Sequence, residues 1–206
     1  GEFASLKVLE VNSIGIFLDW GLSKDLLLPY SEEKHSLQAG DYCVVHVYLD
    51  KHTRRITATA RLDRYLDKTP ADYKVGQEVN LLVAEATDMG FKAIINNKHW
   101  GLIHKNEVFK FLRPGKEEKG FIKEIRADGN ISLSLQPVGE EAASSLNSKI
   151  LTKLRENNGV LPVSDKSDPQ VISGLFGVSK GNFKKAIGAL YKQGQIVIHA
   201  DRIELV

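Results

Sequence analysis

Cysteine occurs once in this chain, at Cys43. A single thiol excludes an internal disulfide and any multi-thiolate metal site within one chain, and it suits a reducing, cytoplasmic setting. Long apolar runs are missing too. None approaches the ~18 residues that a bilayer crossing needs, so no membrane segment is expected, and no secretory signal is seen. Neither sign of charge dominates: 28 Lys and Arg stand against 26 Asp and Glu, for a net +2. Any anionic partner must therefore be met by local patches rather than by the field of the whole molecule. The six histidines show no i, i+4 pair and no cysteine companion. Without ligand spacing or a base–nucleophile arrangement, neither a metal nor an enzymatic activity is expected. The chain opens on Gly1 rather than methionine, and Gly1-Glu2-Phe3 reads as a cloning remnant.

What is present is a repeat. Gly15 matches Gly90, Glu32 matches Glu107, Leu37 matches Leu112, Gly40 matches Gly115 and Ile56 matches Ile131, always 75 residues apart. A constant offset without insertion predicts two copies of one small domain, over residues 1–68 and 71–138. Within the second copy, Val79–Ala86, Gly90–Ile95, Trp100–Ile103, Lys119–Ile125 and Ile131–Leu135 are short runs, several with period-two alternation, separated by Gly, Asn, Asp and Pro. Five strands with a longer connection after the third predict a small barrel of the oligonucleotide-binding (OB) type. Copy one lacks a counterpart of Tyr73–Glu78, so the chain reads as trimmed, with further β modules expected upstream.

After Pro137 the period changes. Leu146, Ile150, Leu151 and Leu154 share a helical face over Ser145–Arg155. Asp168-Pro169 predicts an N-cap followed by proline at the first helical position, for a short helix through Phe176 that Gly177 breaks. Ser179 predicts the cap of a third helix reaching about Gln193, and IVIHADRIEL a hairpin. Residues 139–206 thus read as a winged helix. The expected fold class is α+β multidomain: two five-stranded OB-fold barrels followed by a winged-helix domain.

Parity assigns faces. In the second strand of copy one, Ile14, Ile16, Leu18 and Trp20 point inward and Gly15, Phe17 and Asp19 outward. An outward Phe17 has no core to fill; it can stack on a base or meet a neighbouring domain. In copy two, Met89, Phe91, Ala93 and Ile95 read as inward and Lys92 as outward. In the last strand of copy one, Ile56, Ala58 and Ala60 read as inward. That leaves an outward stripe of Arg55, Thr57, Thr59 and Arg61, suited to phosphates and ribose hydroxyls or simply to solvent. The matching stripe in copy two, Asn130, Ser132, Ser134 and Gln136, is uncharged. His104 ends a strand, with Lys98, His99 and Lys105 near it in sequence. It either bonds its own turn or contacts RNA, and RNA contact is the expectation. On the third helix Phe183, Ala186, Ile187, Leu190 and Tyr191 form the buried stripe. Lys180, Asn182, Lys184 and Lys185 sit on the open side at the N-terminal end, where helix-turn-helix proteins meet nucleic acid and the helix dipole favours anions. A solvated or protein-binding face accounts for the same lysines.

These motifs carry a resemblance. The repeats resemble ribosomal-protein S-one type RNA-binding domains: IGIFL for the glycine and exposed aromatic of the second strand, GLIHKNE and the degraded LLLPYSE for the histidine segment, DKHTRRITAT and DGNISLSL for the last strand. By that resemblance Phe17, Arg55 and His104 match RNA-contact positions. Ile14 and Pro29 stand where an aromatic and a histidine are usual, and copy two departs at Met89, Lys92 and Asn130. The segment DKSDPQVISGLFGVSKGNFKKAIGALYKQGQI resembles the winged-helix end of the conserved virulence factor B family of bacteria. The resemblance implies a cytoplasmic RNA-binding regulator of gene expression without a cofactor, and family members usually carry an additional module upstream.

The expected function is non-enzymatic binding of single-stranded RNA. Phe17, Arg55, Arg61, Lys92, His104 and Lys105 are the candidate contacts on the barrels, and Lys180, Asn182, Lys184 and Lys185 those on the winged helix. The rivals are a DNA-binding regulator led by the third helix and a scaffold docking protein partners such as ribosomal components.

Overall fold

The computed structural model describes residues 1–108 and 110–206, with the side chains of residues 140 and 141 outside the description. Strands β1 (Glu2–Asn12), β2 (Gly15–Asp19), β3 (Leu26–Leu28), β4 (Tyr42–Leu49) and β5 (Ile56–Thr59) form the first barrel, in the order β3-β2-β1-β4-β5. Strands β6 (Glu78–Thr87), β7 (Gly90–Ile95), β8 (His99–His104), β9 (Glu117–Ile125) and β10 (Ile131–Ser134) close the second, where β10 pairs parallel with β8 and antiparallel with β9.

The 75-residue offset persists in three-dimensional detail. Register shifts fall between Val8 and Glu10 in β1 and between Val83 and Glu85 in β6. Gly40 N–H donates to Val8 O at 2.9 Å, and Gly115 N–H to Val83 O at 2.7 Å. A carboxylate fastens the seam of each barrel. Glu32 Oε2 accepts from Thr59 Oγ1 at 2.6 Å, and Glu107 Oε2 accepts from Ser134 Oγ at 3.1 Å. The same hydroxyls accept from Arg61 N–H and Gln136 N–H. Ala60 N–H donates to Glu32 O at 2.9 Å, which carries the first barrel across from β5 to the 3-10 turn Tyr30–Glu32 that follows β3.

The seam covers the outward stripes that parity assigns to the last strands. Thr57 and Thr59 are buried, as are Ser132 and Ser134, so no open hydroxyl stripe exists; Ile56, expected inward, is 52% exposed. Ala58, Leu133 and Leu135 fill the barrel cores, so the hydroxyls at 59 and 134 lie on the opposite strand face, covered by Glu32 and Glu107, whose carboxylates supply the acceptors without which each would be a costly orphan. Ile14 and Met89 are also corrected, at 69% and 63% exposed. Each lies in the turn before its strand, where alternation does not hold.

A third apolar cluster joins the barrels. Phe3, Val44, Leu62 and Leu66 pack with Leu82 and Ile94, and Tyr65, Ala84 and Trp100 border them. The connecting segment is tied down further. Trp100 Nε1 donates to Asp63 at 2.8 Å, Trp100 N–H to the Asp67 carboxylate at 3.0 Å, and Asp67 N–H to Lys98 O at 2.9 Å. His99, near His104 in sequence, is buried. Its Nε2 faces Thr69 O at 2.7 Å and so carries the proton, which leaves Nδ1 to accept from Tyr73 Oη at 2.8 Å. His46 packs 4.0 Å from the Tyr65 ring and 4.6 Å from that of Phe3. Burial, then the amino-terminal charge, hold its pKa below the usual imidazole value.

The last domain comprises α1 (Glu140–Glu156), β11 (Val160–Leu161), α2 (Pro169–Phe176), α3 (Lys180–Lys192), β12 (Ile196–Ile198) and β13 (Ile203–Leu205). Asp168 caps α2, accepting from Gln170 N–H at 2.7 Å with Pro169 in the first turn. Gly177 is left-handed at φ 69°, and Ser179 caps α3, accepting from Asn182 N–H at 3.2 Å. Phe176 and Phe183 stack at 5.1 Å in a core shared with Ile150, Leu154, Ile187 and Ile203. Tyr191, expected in that core, is 57% exposed because it lies at the edge of the stripe. Among the described residues no helix is long and apolar enough to cross a membrane.

Candidate nucleic-acid interface

On barrel one the outward reading of Phe17 holds. Ile16 and Leu18 are fully buried, whereas Phe17, paired with Leu27 and Glu10, is half-buried and outside every apolar cluster. Arg55 and Arg61 are exposed. Arg61 Nε donates to Ser31 O at 2.9 Å, which anchors the guanidinium beside the Tyr30–Glu32 turn while leaving its other N–H groups to solvent or ligand. Two residues missed by the sequence reading are exposed near the start of β2: Ile14, in the β1–β2 turn, and Tyr30, 46% exposed, whose hydroxyl donates to Asn12 O at 2.6 Å. A tyrosine inside PYSEE gives no periodic signal, so only the folded turn shows its exposure.

Barrel two is built differently at the matched positions. Lys92 replaces Phe17, and its Nζ lies 4.2 Å from the Trp100 ring centroid and 3.9 Å from Asp63. It is thereby placed at the junction of the barrels instead of on open surface. His104 is half-buried; its Nε2 lies 3.5 Å from Ser132 Oγ, and its backbone starts the 3-10 turn Lys105–Glu107. Lys105 is exposed. Glu107 receives Lys123 Nζ at 2.6 Å.

His104 and Lys105 are not brought together with Phe17. Lys105 instead lines a cleft beside the winged helix. A cleft of about 1200 Å³ lies between barrel two and the last domain, and Lys105, Lys123, Lys149, Lys180 and Lys185 line it. Gln136 spans the two domains: its Oε1 accepts from Asn182 Nδ2 at 3.2 Å, and its Nε2 donates to Gly177 O. The N-terminal end of α3 therefore faces barrel two. Its cations are unequal. Lys180 Nζ donates to Ser167 O at 2.9 Å and Lys184 lies 3.7 Å from Asp165, whereas Lys185 is exposed with no ionic partner among the described residues. On the wing, Arg202 sits between Asp201 and Glu204 at 3.5 and 3.8 Å, and His199 lies 3.3 Å from Glu204.

Cys43 is half-buried, and burial followed by the Glu33 charge pushes its thiol up to about 11. A thiol so raised carries little thiolate at neutral pH and is a poor nucleophile.

Two small barrels in tandem with a winged helix define a multidomain protein assembled from nucleic-acid-binding modules. Residues 1–60 match the S1 domain family and residues 148–205 the CvfB-like winged helix domain. The chain is 32% identical over 203 residues to the uncharacterized protein YitL of Bacillus subtilis, covering 95% of this chain and 68% of that protein. It is 28% identical over 206 residues to conserved virulence factor B of Staphylococcus epidermidis, covering 97% and 69%. The chain belongs to the conserved virulence factor B family. A crystal structure of a multidomain protein with nucleic acid binding domains from Streptococcus pneumoniae is 28% identical, covers 99% of this chain and 75% of that one, and has a TM-score of 0.43. The matched families are binding modules, not enzyme families.

Proposed function

We propose that the protein is a non-enzymatic, cytoplasmic binder of single-stranded RNA that regulates gene expression after transcription. The observation that carries this reading is Phe17: a phenyl ring outside every apolar cluster, on a barrel that also exposes Arg55 and Arg61. Stacking on such a ring requires an unpaired base, because a duplex hides its base faces. The cleft beside α3 supplies a second, cationic contact, and two weak contacts in one chain reinforce each other through effective concentration. Duplex DNA is a poorer match. A helix that reads a major groove must present its N-terminal residues outward, and here they face barrel two, with Lys184 and the wing arginine already beside carboxylates.

The test is a titration of labelled single-stranded RNA and duplex DNA across a salt series. The expected result is tighter binding of the single strand, with log K falling by about 0.7 per phosphate contacted for each unit of log salt. Tighter duplex binding that disappears in Lys184→Glu supports the DNA regulator instead. Binding of neither polymer at low salt leaves the protein-docking scaffold.

A further inference from the structure

We propose that Tyr30 is a second base-stacking surface of barrel one, so that the barrel takes two successive unpaired bases, one on Phe17 and one on Tyr30. The inference rests on the single-strand reading above and adds a residue and a two-base span to it.

Tyr30 follows Pro29 in the 3-10 turn after β3, and β3 pairs with β2 so that Leu27 lies opposite Phe17 and Leu28 opposite Ile16. The ring thus stands at the end of β3 next to the strand that carries Phe17, displaced along it by a few residues at ~3.3 Å each. A Cβ on Gly15 would lie 3.7 Å from Pro29 Cα, which shows how closely the start of β2 approaches the root of Tyr30. The ring is fixed at both ends, by the turn backbone and by its hydroxyl on Asn12 O at 2.6 Å. A side chain held in this way loses little conformational freedom on binding, which makes a fixed tyrosine an effective contact surface.

Nor is the ring there for the core. It is 46% exposed, belongs to no apolar cluster and has no ring partner among the described residues. The second copy provides an internal control. At the positions 75 residues on, Phe17 becomes Lys92 and Tyr30 becomes Lys105, yet the barrel and its 3-10 turn form in the same way. Barrel two forms without either ring, and the two rings occur together in one copy only. The guanidinium of Arg61, anchored to Ser31 O next to Tyr30, is placed for the phosphate that links two stacked bases.

The experiment compares wild type with Tyr30→Ala, Tyr30→Phe and Tyr30→Lys in binding a short labelled oligoadenylate across a salt series. Tyr30→Lys installs the residue that the other copy carries at this position, and a thermal melt of each variant separates a binding loss from a folding loss. Expected are a roughly fivefold to hundredfold loss for Tyr30→Ala with an unchanged salt slope, and about threefold or less for Tyr30→Phe, which keeps the ring. Tyr30→Lys is expected to show a steeper slope and a loss that grows with salt. Tyr30→Ala and Tyr30→Lys within twofold of wild type at every salt concentration overturn the inference alone. Wild type that retains no oligonucleotide overturns it together with the parent reading.

Discussion

Phe17→Ala is expected to weaken single-stranded RNA binding by roughly fivefold to more than a hundredfold, the range that one base–aromatic stack supplies. The fold should be untouched, because the phenyl is outside the barrel's apolar cluster and the matched position in barrel two is a lysine. The form of the loss matters as much as its size. Stacking releases no counterions, so log K against log salt should shift downward in parallel. Arg61→Ala, by contrast, should flatten the slope by about one phosphate's worth. A Phe17→Ala protein that melts as wild type does but binds RNA equally well contradicts the assignment. Comparison of affinities at two salt concentrations, with a thermal melt of each variant, checks all of this.

Gly90→Ala is expected to be the most damaging single methyl in the protein. A Cβ there would lie 2.0 Å from Ile103 O and 2.9 Å from His104 Cα, and both obstacles are backbone. The residue also sits at φ 148°, a conformation that L side chains rarely adopt. Strand β8 would have to move off β7, breaking the pairing of Gly90 with His104 that places the histidine and Lys105. Steric and backbone terms together imply a loss of about 3 kcal/mol or more, which for a domain of this size lowers the melting temperature by ~10 °C or more. Gly15→Ala, at the matched position of barrel one, should be milder. Its nearest obstacle at 2.8 Å is the Leu27 Cδ1 methyl, which can rotate away, although Leu28 O follows at 3.0 Å. Chemical denaturation of both variants should give that order; equal stability would contradict the packing described for β7 and β8.

Much of the architecture is written locally. The constant offset of 75 residues announces two barrels, and the capping residues Asp168 and Ser179 with Pro169 and Gly177 mark α2 and α3 as the structure has them. Such features depend on neighbours within a few positions, so sequence carries them well. Parity also places Phe17 correctly, since Ile16 and Leu18 flank it in a regular strand. It fails where alternation stops. Ile14 and Met89 lie in turns; Thr57, Thr59, Ser132 and Ser134 keep the parity opposite the core residues Ala58 and Leu133 but are buried beside a seam built on Glu32 and Glu107. The acceptor for Thr59 is 27 residues away in sequence, and period-two reasoning cannot see it. Long-range packing likewise decides the site. Lys92 meets Trp100 across the β7–β8 pair and Asp63 only once the barrels dock, His99 is absorbed by the linker, and Lys105 shares a cleft with lysines of α3 where Gln136 reaches across to Asn182.

Exposed aromatic and arginine groups on barrel one and the cationic cleft beside α3 form the core of this account. Backbone amide NMR signals followed during titration with a short single-stranded RNA test it most directly. The predicted result is perturbation centred on Phe17, Tyr30 and Arg61, with a second group at Lys105 and the first turn of α3. Perturbations confined to the wing between Ile198 and Ile203, or no perturbation at saturating RNA, would contradict it.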